Sequence, residues 1–284
     1  MDVGESLFRS YLYVPGTEEH RIGKALDGEA DAVVIDLEDA VAPERKEEAR
    51  RLAGEVVSAP LAKPVFVRIN ALGTGLAGDD LAALVGPGLA GIRVPKVESA
   101  EQIAEVERSM DGRPRAVMIV ALIESALGVE RAAEIAACGS VAALAMGEAD
   151  LRADLGVTAD EGLLYARSRC VTAARAAGRP AIQSVFADLR DTDGLAASTR
   201  WGRRMGFTGR SAIHPSQVAV INEVLTPTGD EVRRAREVME AYERARREGS
   251  GAAVTTGGGF VDEAVVRAAR AVLRLADRSH PGSS

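Results

Sequence analysis

Eight short apolar runs, separated by segments of helical period, constrain this chain more than any other feature. They are YLYVP, DAVVIDLE, PVFVRIN, GIRVPK, AVMIVALIE, VAALAMG, PAIQSVF and GRSAIHP. Their apolar character is nearly continuous, the pattern of parallel strands covered on both faces. The intervening segments carry helix signals. PERKEEARRLAGEVV has Pro43 in its first turn and early acids. SAEQIAEVERSM opens on Ser99 as N-cap, with Gln102 three residues on. EGLLYARSRCVTAARAAG runs to Gly178, a C-terminal stop. Eight strand–helix units in a chain of 284 residues predict an α/β fold, a (β/α)8 TIM barrel over residues 1–226. The alternative is an open doubly wound sheet. It wants a glycine fingerprint after the first strand, and none is there.

Residues 227–284 read differently. TGDEVRRAREVMEAYERARREG is an exposed charged helix, SGAAVTTGGG a flexible linker, and FVDEAVVRAARAVLRLADR a second amphipathic helix. The expected second domain is therefore a C-terminal helical extension.

Composition narrows the function. With 4% aromatic residues, the core must come from Val, Ile, Leu and Ala. A net charge of −7 with mixed acids and bases, and no concentrated basic stripe, argues against a nucleic-acid partner. Two cysteines, Cys138 and Cys170, offer neither a disulfide framework nor a zinc spacing, and three histidines are too few for a multi-histidine metal site. The opening MDVGESLFRS lacks the basic region of a signal peptide, and no stretch of about 20 apolar residues occurs. A soluble cytoplasmic protein with no membrane partner is expected.

In such a barrel, chemistry sits at the carboxyl ends of the strands. Those ends hold Asp36, Glu38 and Asp39, then Arg68 and Asn70, Lys96 and Glu98, Glu124, Glu148 and Asp150, and finally His214. A carboxylate closing a buried strand, as Glu124 does, is costly unless something pairs with it. Glu124 and Asp150 together make an oxygen-donor site suited to Mg2+. A salt bridge from Glu124 to Arg68 or Lys96, or a helix cap, would serve as well. Arg68 suits a substrate carboxylate through its two-pronged guanidinium, or a structural pairing with Asp36, Glu38 or Asp39. Those three acids read as groups that orient water on the metal or pair with nearby bases. GTGLAG, residues 73–78, matches a nucleotide-binding pattern. The acids Asp79 and Asp80 follow at once and would repel a pyrophosphate, so it reads as a loop.

RSYLYVPGTEEHRIGKAL, DAVVIDLEDAVAPERKEEAR, VFVRIN, ALIESALGV, GEADLRADLG and GFTGRSAIHPSQV together resemble the citrate lyase beta-subunit family of the HpcH/HpaI aldolase superfamily, which includes malyl-CoA and citramalyl-CoA lyases. The resemblance implies a Mg2+-dependent carbon–carbon lyase. Its substrate would be a 3-hydroxyacyl thioester of coenzyme A or an acyl carrier, and its products acetyl-CoA and a 2-keto acid such as oxaloacetate, glyoxylate or pyruvate. A malate-synthase-like or thioesterase activity is the alternative, as is a thioester-binding subunit active only within a lyase complex. By the same resemblance Glu124 and Asp150 are the metal ligands, and Glu124 and Arg68 meet the substrate. Arg9, Arg21 and Lys24 would lie near the coenzyme A phosphates. Asp262 would be a catalytic acid on a C-terminal lid reaching a neighbouring subunit, in a homo-oligomer, a trimer or hexamer. Two departures from the family pattern stand out. GEADL replaces GAEDL, moving an acid to Glu148, and Gln183 follows Ile182 where the family has Asp, which would alter the pocket.

Overall fold

The computed structural model describes residues 8–111, 117–247, 253–255 and 257–279. The eight apolar runs become eight strands: β1 (Ser10–Pro15), β2 (Ala32–Asp36), β3 (Val65–Arg68), β4 (Leu89–Val94), β5 (Met118–Ile123), β6 (Val141–Met146), β7 (Ala181–Gln183) and β8 (Gly209–Ala212). All are parallel, pair in chain order, and close where Tyr11 of β1 sits opposite Ser211 of β8.

Strand pleating sorts the side chains into two layers. Tyr11, Val34, Phe66, Val120, Leu122, Ala143, Ala145 and Ile182 fill the barrel interior. Leu12, Val33, Ile35, Val67, Ile92, Val94 and Ala121 point outward into the larger core beneath the helices. Interior space is tight: a Cβ at Gly91 would lie 2.4 Å from the Phe66 ring. Glycine there makes room for that ring.

The surrounding helices are α1 (Glu19–Asp27), α2 (Lys46–Val57), α3 (Ala77–Ala83), α4 (Ala100–Ser109), α5 (Ala126–Glu130), α6 (Ala132–Ala137), α7 (Glu148–Leu155), α8 (Leu164–Ala176), α9 (Thr192–Met205) and α10 (Ser216–Leu225). Helix α4 has the expected capping box between Ser99 and Gln102. Gly178 adopts φ +69 just past α8, and the Arg179 N–H returns to the Ala174 carbonyl. Pro43 starts a short 3-10 turn, Pro43–Arg45, ahead of α2 rather than α2 itself. GTGLAG is more ordered than a loop: it spans a 3-10 turn, Leu72–Thr74, and the first residues of α3. The reason is Asp80, fully buried, which accepts from the Asn70 backbone and side chain and from Arg50.

The chain divides into two compact units, one ending at Leu225 and the other beginning at Thr226. The second unit contains α11 (Gly229–Arg247), a two-stranded antiparallel hairpin of β9 (Ala253–Val254) and β10 (Phe260–Val261), and α12 (Glu263–Ser279). Ala241, Ala245, Ala253, Val261 and Val266 form its own small core. The stretch expected to be a linker thus holds the hairpin's first strand; its residues 250–252 and 256 lie outside the described residues. Among the described residues no helix is long and apolar enough to cross a membrane.

Candidate active site

The strand ends surround a cavity of about 420 Å3 whose lining includes Tyr13, Asp36, Arg68, Glu124, Asp150 and Ser211. Glu124, at the end of β5, is 4% exposed. One of its oxygens accepts the Lys96 backbone N–H at 2.9 Å. Lys96 has φ 53, the one non-glycine residue with positive φ among the described residues. That left-handed turn after β4 is strained for a residue with a Cβ. The other Glu124 oxygen lies against Gly147, where a Cβ would come within 2.2 Å of it. Only glycine at 147 leaves the carboxylate its place.

The structural alternatives for Glu124 are not what the fold uses. Arg68 is committed to Asp36. The Lys96 ammonium sits 3.5 Å from Glu38. Ser125, not Glu124, caps α5 by accepting from the Gly128 N–H. Burial first, and then the charge of Glu38, push the Glu124 carboxyl up to about 7. Burial does the same to Glu38, also to about 7.

Arg68 is paired with the acids at the end of β2 and also lines the cavity. Its Nε and Nη2 donate to the two Asp36 oxygens at 2.7 and 2.6 Å, and Nη1 donates to Asp39 at 3.0 Å. Glu38 Oε2 lies 3.2 Å from the same Nη1 but without hydrogen-bond geometry, so this buried oxygen stays unpartnered. The guanidinium also packs over the Tyr13 ring and lines the cavity.

Asp150 is exposed in the first turn of α7 and contributes to the field felt by Glu124 and Lys96. Glu148 is spent elsewhere: Arg167 grips it through Nε and Nη2 at 2.8 and 2.5 Å and stacks on Trp201. Among the described residues, Asp36, Glu38, Asp39, Glu124 and Asp150 are left with Arg68 and Lys96 as their neighbouring cations. No group of three or more His, Cys, Asp or Glu among the described residues could hold a metal by itself. Two carboxylates, an excess of negative charge and an orphaned buried oxygen fit a hard divalent cation that keeps several positions for water or substrate.

The remaining residues singled out in the sequence lie outside the cavity lining. Arg9 precedes β1, at the end of the barrel opposite the cavity, and is held by Asp31 at 2.7 and 2.9 Å. Arg21 and Lys24 are exposed on α1, with Glu18 3.7 Å from Arg21. Gln183 points away from the cavity, donating to the Ser198 carbonyl on α9 and packing on Gly202. Its departure from the family pattern therefore leaves the cavity lining alone, and Ser184 is the residue that lines it. Asp262, in the second unit, is exposed and caps α12 by accepting from the Val265 N–H at 2.9 Å. Gly147, the Lys96 backbone, Tyr13, Arg93 and Ser211 went unnoticed in the sequence. Only Arg93, a charge in the middle of GIRVPK, carried a visible signal.

A closed barrel of eight parallel strands with an acid-lined cavity at their carboxyl ends defines a (β/α)8 enzyme. Residues 9–215 match the HpcH/HpaI aldolase/citrate lyase family, and the chain belongs to it; by that membership it is a lyase. It is 37% identical to citrate lyase subunit beta of Leuconostoc mesenteroides subsp. cremoris, over 97% of this chain and 95% of that one. It is 38% identical to a (3S)-malyl-CoA thioesterase of Cereibacter sphaeroides, over 88% of each. A crystal structure of the protein CitE from Mycobacterium tuberculosis, in complex with magnesium, acetoacetate and coenzyme A, superposes with a TM-score of 0.78 at 34% identity, covering 96% of this chain and 99% of that one.

Proposed function

We propose that this protein is a Mg2+-dependent lyase that cleaves, or in reverse forms, a 3-hydroxyacyl thioester, giving an acetyl thioester and a 2-keto acid. Glu124 carries the reading. A buried carboxylate with one backbone donor and no ion-pair partner among the described residues is suited to hold a cation.

Glu124 and Asp150 would hold the Mg2+. When bound, it supplies Lewis acidity and a template for the oxygens of the keto-acid half. Asp36 fixes the Arg68 guanidinium through two of its nitrogens, presenting it to the cavity, where it stabilises negative charge growing on a substrate oxygen. As the hydroxyl gives its proton to solvent, its oxygen becomes the keto oxygen. The adjacent carbon–carbon bond breaks, and its electron pair passes to the thioester enolate. A proton on the enolate carbon completes the acetyl group. Asp262 is proposed as the source of that proton, delivered into the site of a neighbouring copy in a homo-oligomer. Arg21 and Lys24 are the basic residues proposed for the carrier's phosphates; the carrier is coenzyme A or an acyl carrier protein.

The test is a panel of malyl-, citramalyl- and citryl-CoA with Mg2+, with keto acids identified by mass spectrometry and free CoA measured alongside. A keto acid with acetyl-CoA supports the lyase. Free CoA with the intact hydroxy acid supports a thioesterase, the reading favoured by the likeness to the malyl-CoA thioesterase. Turnover of none of the three refutes both for the isolated chain.

A further inference from the structure

Arg93 lies on β4 inside the barrel, beneath the cavity, and is fully buried. No carboxylate among the described residues pairs with it. It is packed against the rings of Tyr11 at 4.4 Å and Tyr13 at 5.2 Å. One nitrogen, Nη1, donates to both the Tyr13 hydroxyl at 2.9 Å and the Ser211 hydroxyl at 3.0 Å. Its Nε and Nη2 have no partner among the described residues. An uncompensated buried guanidinium is expensive, so its retention asks for an anion.

The chemistry of the two hydroxyls says where that anion sits. Guanidinium only donates, so Tyr13 and Ser211 are both acceptors toward Arg93. Each keeps its own O–H to give elsewhere, and neither gives it to another described residue. Both residues line the cavity. Because both hydroxyls lie within hydrogen-bond distance of one nitrogen, they are near enough to each other to meet a single carboxylate. The positive charge behind them strengthens both donors.

We propose that Tyr13 and Ser211, backed by Arg93, form a carboxylate subsite on the floor of the cavity that selects a 2-oxo dicarboxylic acid over a monocarboxylic one. This rests on the lyase reading and deepens it. The bulky thioester carrier must leave through the mouth, so the small acid is the deeper half of the substrate. Its far end then meets the floor. A second carboxylate there satisfies both hydroxyls, whereas a methyl group or a hydrogen leaves them and Arg93 unmatched. Tyr13 and Ser211 are the contacting groups, and Arg93 is a positioning residue that acts through them.

The experiment is calorimetric titration of the full chain, in Mg2+, with oxaloacetate and with pyruvate. Wild type should bind oxaloacetate at least about tenfold more tightly. Tyr13→Phe and Ser211→Ala each remove one oxygen and keep the barrel's packing, so no substitution of Arg93 is needed. Each should weaken oxaloacetate by about tenfold and pyruvate by less than about twofold, narrowing the ratio. A purely structural role would weaken both acids alike and would overturn the subsite. So would a wild type that binds both acids equally, or variants that leave oxaloacetate unchanged. Those results leave the lyase reading standing. A wild type that binds neither acid refutes that reading and the subsite with it.

Discussion

Replacing Glu124 with glutamine should make the metal-free protein more stable, and only at high pH. The carboxyl is raised from an ordinary 4.5 to about 7, with burial as the leading cause and Glu38 next. A group raised in the folded state binds more protons folded than unfolded between those values, so its contribution to stability falls as pH climbs through that window. Below 4.5 it is neutral in both states and costs nothing. Above about 7 it is ionised in both, and the folded protein carries the full penalty, roughly 3 kcal/mol at about 1.4 kcal/mol per pH unit. Glutamine removes the charge and keeps an oxygen for the Lys96 N–H. Its new amide donors need partners, which returns about 1–2 kcal/mol of the gain. The expected net effect at pH 8 in EDTA is a stabilisation of about 1–2 kcal/mol, a rise in Tm of roughly 2–8 °C. The advantage shrinks steadily as pH approaches 5. Trp201, the chain's single tryptophan, lies on α9 in the barrel unit and reports its unfolding by fluorescence. Adding Mg2+ at roughly a hundredfold above its Kd should stabilise wild type by about 2.7 kcal/mol and the variant by much less, reversing their order. A variant less stable than wild type at pH 8 without metal, or one whose advantage is the same at pH 5, refutes the reasoning.

Three further substitutions read other parts of the site. Arg68→Lys keeps the charge but cannot make the paired bonds to Asp36, and turnover should fall at least about tenfold in steady-state assays. Gly147→Ala places a methyl group within 2.2 Å of the Glu124 carboxylate, and calorimetry should show Mg2+ affinity reduced at least about tenfold with the barrel's circular dichroism retained. Glu38→Gln, which removes a buried charge next to Arg68 and Lys96, should weaken Mg2+ binding by roughly 10–100-fold; an unaltered titration would make Glu38 a purely structural partner.

The barrel was legible because each strand is covered on both faces, which writes burial into the sequence as an unbroken apolar run. The acids were legible for a related reason: a carboxylate at the end of such a run has few explanations. What could not be read were contacts between residues brought together only by closure. Gly147 matters because Glu124, on the neighbouring strand, lies across it. Lys96 matters through its backbone N–H, which no side-chain motif records. The β9–β10 hairpin escaped because two-residue strands have no period to detect. Positions along the strands were legible as well: Arg9 stands before β1, at the far end of the barrel, and alternation along β7, with Ile182 inward, sends the Gln183 side chain outward.

Charge is layered along the barrel axis, and the layering gives the cavity a direction. The mouth carries Asp36, Glu38, Asp39, Glu124 and Asp150, partly answered by Arg68 and Lys96 and in need of a cation. The interior below carries Arg93, unanswered by any described carboxylate and in need of an anion. The two layers are linked through Tyr13, whose ring lies 5.2 Å from the guanidinium carbons of both Arg68 and Arg93. A ligand that completes only the upper layer leaves the lower charge uncompensated. One acid that chelates a cation at the mouth and places a second carboxylate on the floor completes both. On this assignment the metal site fixes which reaction the barrel performs, and the buried arginine fixes which acid it performs it on.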